Sequence, residues 1–408
     1  MTAVSPPKHA IAFILITVFL DTVSFGLIIP VMPQIMMEIT GKPASDAVAV
    51  AGLLMFVFAI MQFFAMPILG SLSDRFGRRP VLLLSLAAFV VDYIIIGFAN
   101  SLWLLFAARA IAGVCGATHA MASAYIADVA PPEKRSQYFG YIGAAFGLGF
   151  VIGPALGGLL GDIGSRIPFF VAAGAAFTNL VYGYFVLPET LLPENRREFS
   201  WRRANPVGSM VTIGKFPLLF GLFAVLFLMQ VAHDSLPSVW TWYTIEKFDW
   251  SERQIGASLA LVGICNFVVM GFLNGPISRR LGEKNTAVTG LLMGATGFFG
   301  FAFASQDWHL LLWIVPFAFM GLATPNINSI MVGKTASNAQ GELQGIRGSL
   351  AAVSMIIAPL FMTQLMAFFS SDSAPFYFPG ASYATAGSLM FIGCILFVIT
   401  LRRLNRLS

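Results

Sequence analysis

Charge is what this sequence has least of. Only 11% of its 408 residues are Asp, Glu, Lys or Arg, against about 25% in a soluble domain. Hydrophobic residues make up 57%, more apolar surface than a soluble core can absorb, so a water-soluble globular fold is excluded and the solvent must be lipid. Cysteine is scarcer still. Cys115, Cys265 and Cys394 all sit inside apolar runs, which argues against a disulfide framework and for small packing residues. The four histidines, at 9, 119, 233 and 309, are too scattered for a metal site. No nucleophile–base constellation is visible, so no enzyme chemistry is expected. No phosphate-cradling Gly-rich loop is present, which disfavours an ATP-driven machine. Neither a cofactor nor a metal is expected.

What the chain does have is long apolar runs, with 39 Gly and 39 Phe. A crossing helix needs about 20 apolar residues. The runs predict twelve, near 9–32, 46–70, 80–99, 102–125, 137–161, 168–187, 216–240, 253–277, 285–304, 308–332, 342–368 and 382–401. The first is long enough to span and ends without a small-residue cleavage site, so it is expected to stay as a helix. The one long polar connection, 188–215, reads as a linker between six-helix halves at 1–187 and 216–408.

Basic residues fix the expected orientation. With the N-terminus in the cytoplasm, the cytoplasmic segments hold 18 Lys and Arg and the opposite side holds four: Lys42, Arg166, Lys247 and Arg253. Acidic residues split evenly. The bias predicts both termini inside. It also makes the formal charge of +5 a topology signal, not a nucleic-acid footprint.

The halves repeat one another at an offset of 205 residues. Gly70 to Arg79 is echoed by Gly275 to Lys284, Gly116 by Gly321, Gly140 by Gly345 and Pro154 by Pro359. Four matches at one offset imply duplication.

Several motifs carry chemistry. The loop Gly70-x-x-x-Asp74-Arg75-x-Gly77-Arg78-Arg79 combines tight-turning glycines with residues able to form charge-assisted bonds, expected to lock the halves in one state. Glycines at 149, 153, 157 and 158, with Pro154, strip one helix face of side chains and bend the helix. Arg109, Asp21 and Asp92 lie at membrane depth, where an ionisable group needs a partner, a wet cavity or a function. Asp21 either loads and releases a proton, since desolvation favours its neutral form, or braces helix one by a hydrogen bond. Arg109 either serves proton transfer or bonds Asp92 as a structural pair. His233 and Asp234 point to different sides of their helix, so at most one faces a cavity squarely. Gln62, Gln230, Asn266, Trp240 and Asn326 are candidates to line a substrate path, or simply to pair with one another.

The Gly-Asp-Arg-Gly-Arg-Arg loop resembles the major facilitator signature, and the glycine-rich helix resembles the antiporter motif of drug:proton exporters. The stretches Asp21 to Pro33, Ser73 to Ser85, Gly113 to Ala117 and Phe146 to Gly158 resemble tetracycline efflux proteins in particular. The resemblance implies an all-α membrane fold of two pseudo-symmetric six-helix halves, alternating access, and inner-membrane location in a bacterium. It links Arg109 to proton transfer, and Asp21 and Asp92, as carboxylates at membrane depth, are the proton-coupling candidates beside it. It assigns gating to Gly70, Asp74, Arg75, Gly77, Arg78, Arg79, Gly153, Pro154 and Gly157. Tetracycline exporters of this kind carry a His in helix eight and an Asp in helix nine. Those places hold Asn266 and Gly294 here, which implies a different proton route, one that His233 and Asp234 could supply. The expected partners are a small-molecule substrate, protons and lipid, with the chain acting as a monomer. Proton-driven export is the first expectation; proton-coupled uptake of a metabolite on the same fold is the second.

Overall fold

The computed structural model describes residues 8–130, 134–191, 194, 196–199, 201, 212–336 and 339–407. Much of the expected linker, including 202–211, lies outside them. Among the described residues every regular element is helical. The α-helices are α1 (Lys8–Ile28), α2 (Met32–Thr40), α3 (Ala44–Phe76), α4 (Arg78–Phe98), α5 (Leu102–Cys115), α6 (Thr118–Val129), α7 (Arg135–Gly161) and α8 (Ile167–Val186). They continue as α9 (Phe220–Phe248), α10 (Glu252–Val268), α11 (Asn274–Phe303), α12 (Asp307–Ala318), α13 (Ala323–Gly333), α14 (Gln340–Ser370) and α15 (Ala381–Leu407).

Among the described residues, eleven stretches are long and apolar enough to cross a membrane. One of them, Glu252–Phe303, is 52 residues long, about twice what one crossing needs. Its backbone breaks at Gly282, where φ is +74°, so it supplies two crossings, the ones expected at 253–277 and 285–304. Gly77 has φ +111°. The two left-handed glycines stand 205 residues apart, so the sequence repeat is also a repeat of backbone shape. Large side chains face outward at the helix ends, among them Phe98, Trp103, Ile163, Phe185 and Trp308. Aromatics at both ends of the apolar band are the pattern of a bilayer-embedded protein.

The chain forms two compact units. The first comprises Met1–Gly41, Val57–Asn205 and Ser251–Ala260; the second comprises Lys42–Phe56, Pro206–Trp250 and Leu261–Ser408. In the first, α1 packs on α7 and α8, and α4 packs on α8 and α5. The α1–α7 seam explains the glycine spacing. A Cβ at Gly149 would strike Thr22, one at Gly153 would strike Gly26, and one at Gly157 would strike the Leu27 carbonyl. Three glycines four residues apart share one helix face, so the two backbones come together there without side chains between them. Thr17 Oγ1 donates to Asn179 Oδ1 at 3.1 Å and ties α1 to α8. In the second unit, α9 packs on α14 and α15, and α11 packs on α15, α12 and α13.

Candidate functional site

The α3–α4 turn is built around Gly77. Its φ of +111° suits glycine alone, and the Glu189 carboxylate fills the space a Cβ would take. That carboxylate accepts the backbone N–H groups of Arg78 at 2.9 Å and Arg79 at 3.2 Å. These are free donors of the first turn of α4, where the helix dipole favours an anion. The Arg78 guanidinium then gathers three partners: Asp74 at 2.6 Å, Ser73 at 3.0 Å and Asp128 at 2.9 Å. Arg79 donates to the Tyr184 carbonyl, and Arg75 lies over the Phe76 ring at 5.1 Å. Every partner just named lies in the first unit. The network ties α3, α4, α6 and the segment after α8 to each other. A Cβ at Gly70 would meet open space.

Deeper in the same unit, Arg109 of α5 forms an ion pair with Asp92 of α4. The Asp92 side chain is fully buried and that of Arg109 is 11% exposed. Asp92 Oδ1 and Arg109 Nε are buried with no hydrogen-bond partner. Phe58 of α3 lies under the guanidinium, 5.9 Å away. Asp21 of α1 is half-buried and, among the described residues, has neither hydrogen bond nor ion pair. Tyr93 stands within the electrostatic reach of Asp21, Asp92 and Arg109 together. Gln62 does not join this group: its amide donates to the Gly116 carbonyl at 2.9 Å, at the break between α5 and α6.

The second unit has its own partly buried carboxylate. Asp234 on α9 accepts from Gln230 at 2.9 Å and, through its other oxygen, from Ser354 of α14 at 2.8 Å. His233 lies 3.4 Å from the Gln230-bound oxygen, with its side chain half-exposed. Asn266 donates to its own helix, to the Val262 carbonyl at 3.1 Å. Asn326 is fully engaged: it accepts from Ser278 at 2.7 Å and donates to Asn274 at 3.0 Å and to Leu322 at 2.7 Å. Trp240 is 1% exposed, edge-on to Trp250, Phe301 and Tyr383. Its ring is part of an aromatic core and offers no open face to a ligand.

Sequence comparison bears on this geometry. The Major Facilitator Superfamily profile matches residues 14–359 and 222–407. This chain belongs to the major facilitator superfamily. It is similar to the class C tetracycline resistance protein of Escherichia coli, with 37% identity over 98% of this chain and 97% of that one. To the class G protein of Vibrio anguillarum it is 36% identical, with 96% of each chain covered. The fold matches the crystal structure of the nucleoside transporter NupG with a TM-score of 0.76 at 12% identity, covering 96% of this chain and 99% of that one. It matches that of the human organic anion transporter MFSD10 with a TM-score of 0.70 at 23% identity, covering 96% and 99%.

In this superfamily member the sequence motifs found the arginines but not all their partners. Asp128, Glu189 and Ser354 were not singled out, though each bonds a residue that was. Glu189 had a weak signal, an acid directly after a span-ending Pro188. Nothing in the sequence says that it caps α4, 111 residues upstream. A second polar group also went unforeseen: Arg347, inside α14, donates to Asn328 and Gln344, both at 2.6 Å.

Proposed function

We propose that this multi-pass membrane protein exports a drug-like, tetracycline-like small molecule in exchange for protons, across a bacterial inner membrane with both termini and the 188–215 segment in the cytoplasm. The chain acts as a monomer by alternating access. The near full-length similarity to tetracycline resistance proteins supports the direction and the class of substrate. The observation that carries the proton coupling is the state of Asp21. It is a carboxylate in the middle of an apolar helix with no partner among the described residues, while the nearby arginine is already taken by Asp92. An uncompensated charge there is costly. Asp21 therefore holds a proton until something cationic or strongly hydrogen-bonding stands beside it. Proton and substrate compete for one group, which is the requirement for exchange. Asp234 is held differently, since both its oxygens carry hydrogen bonds.

The test is Asp21→Asn in everted membrane vesicles energised by respiration. The parent chain should accumulate tetracycline and lose it when the pH gradient is collapsed. The variant should fail to accumulate while still binding the drug. Full coupling in the variant would overturn the role of Asp21. Accumulation confined to right-side-out vesicles would favour uptake.

A further inference from the structure

At the end of α9 stands a carboxylate that none of these roles uses. Glu246 is half-buried, two residues from the C-terminus of the helix. It accepts the hydroxyl of Tyr377 at 3.3 Å, and the backbone N–H of Ser45 faces it. Ser45 lies in the first turn of α3, where backbone donors lack intrahelical partners and the dipole draws an anion. Tyr377 belongs to the segment between α14 and α15. One side chain thus joins three parts of the second unit.

The start of α3 is seated flush at this place. Gln364 of α14 donates to the Ala49 carbonyl at 3.1 Å. A Cβ at Gly52 would land on the side chain of Thr363 and stand 3.3 Å from the Pro359 carbonyl. Thr363 is fully buried. The other charged and titratable groups around Glu246 are few. Asp46 of α3 is close enough to repel it. Lys247 is engaged elsewhere, with Nζ 3.1 Å from the Tyr243 hydroxyl and 5.5 Å from the Phe248 ring centre. Within the second unit, the first turn of α3 therefore faces a carboxylate at Glu246, beside a like charge at Asp46 that opposes it.

We infer that Glu246 is a proton-released latch on the outer end of α3: charged, it holds the first turn of that helix against the end of α9; protonated, it lets the seated face of α3 open. The inference rests on the proposed topology, which puts this end of α9 on the side away from the termini. A proton-driven exporter must open outward in response to protons arriving from outside. A carboxylate at the outer rim, whose charge keeps the seam shut, links the two events. Neutralising the acceptor removes the charge-assisted share of the bond and shifts the closed–open balance about tenfold.

The experiment places a cysteine at Thr363 in a chain whose Cys115, Cys265 and Cys394 are serine, and follows its labelling by a membrane-impermeant maleimide applied to intact cells. With Glu246 present, labelling should speed up about tenfold as the outer pH falls from about 8 to about 5. Corrections for the reagent's own pH dependence come from an exposed cysteine at Asp372. Glu246→Gln should label fast at both values, and Glu246→Asp should restore the pH dependence. Equal labelling of parent and Glu246→Gln at each pH, or a parent rate that ignores outer pH, overturns the latch. Labelling reached only from the side of the termini overturns the topology and the latch with it. Labelling reads the seam and not transport, so failure of the export reading would leave this result standing.

Discussion

Arg109→Gln is the most informative single change in the first unit. It leaves Asp92 fully buried without its cation. Breaking one side of a buried pair costs about 3–5 kcal/mol, because the remaining charge has no compensation. For a unit of about 200 residues, each kcal/mol moves the melting temperature by about 2–4 °C. Arg109→Gln should therefore melt roughly 6–20 °C below the parent when purified in detergent and followed by tryptophan fluorescence. Asp92→Asn strands the guanidinium instead and should cost less, since Arg109 keeps some exposure and rests on Phe58. The double variant Asp92→Asn/Arg109→Gln removes both charges and leaves amides able to bond each other. It should return to within about 2 kcal/mol of the parent, as buried pairs replaced whole often do. The coupling between the two sites would then far exceed the roughly 0.5 kcal/mol of independent positions. An Arg109→Gln chain that melts with the parent, or a double variant as unstable as the two singles added together, would refute the reasoning from burial. The same double variant separates brace from proton path. If it folds but does not move protons with drug in vesicles, the pair lies on the proton route. If it transports normally, the pair only holds α4 and α5 together.

Three further outcomes are expected. Gly77→Ala forces a side chain into φ +111° and onto Glu189; it should cost about 1–3 kcal/mol in a melting assay, and adding Glu189→Ala should relieve the clash but not the strain. Arg78→Gln, which loses three partners, should impair both stability and transport more than Asp74→Asn, which removes the charge from one; near-identical effects of the two would mean that Arg78 is not the hub of the turn. A cysteine at Glu194, in a chain without its native cysteines, should resist an impermeant thiol reagent on intact cells and react in everted vesicles, and ready labelling from outside would reverse the topology.

The sequence alone decided what depends on composition and spacing. Scarce charge and long apolar runs forced a lipid solvent, and run length gave the crossings. The 205-residue repeat was legible because it consists of glycines and prolines, whose backbone requirements survive when other residues diverge; the left-handed Gly77 and Gly282 are its structural form. The ridge of Gly149, Gly153 and Gly157 was legible for the same reason, since small residues four apart share a face whatever they pack on. Pairings were another matter. Asp92 was one candidate partner for Arg109 beside a role in proton transfer, and the packing of α4 on α5 joined the two and left Asp21 without an ion pair among the described residues. Trp240 read as a site residue until the helices around it closed into an aromatic core. Ser354 reaches Asp234 from 120 residues away, and Glu189 reaches the turn after α3 from 111. A membrane helix is apolar on every side, so its periodicity does not reveal which face turns inward. The rotation of each helix about its axis is set by close packing against its neighbours, and that rotation chose which of the few polar groups in this chain would meet.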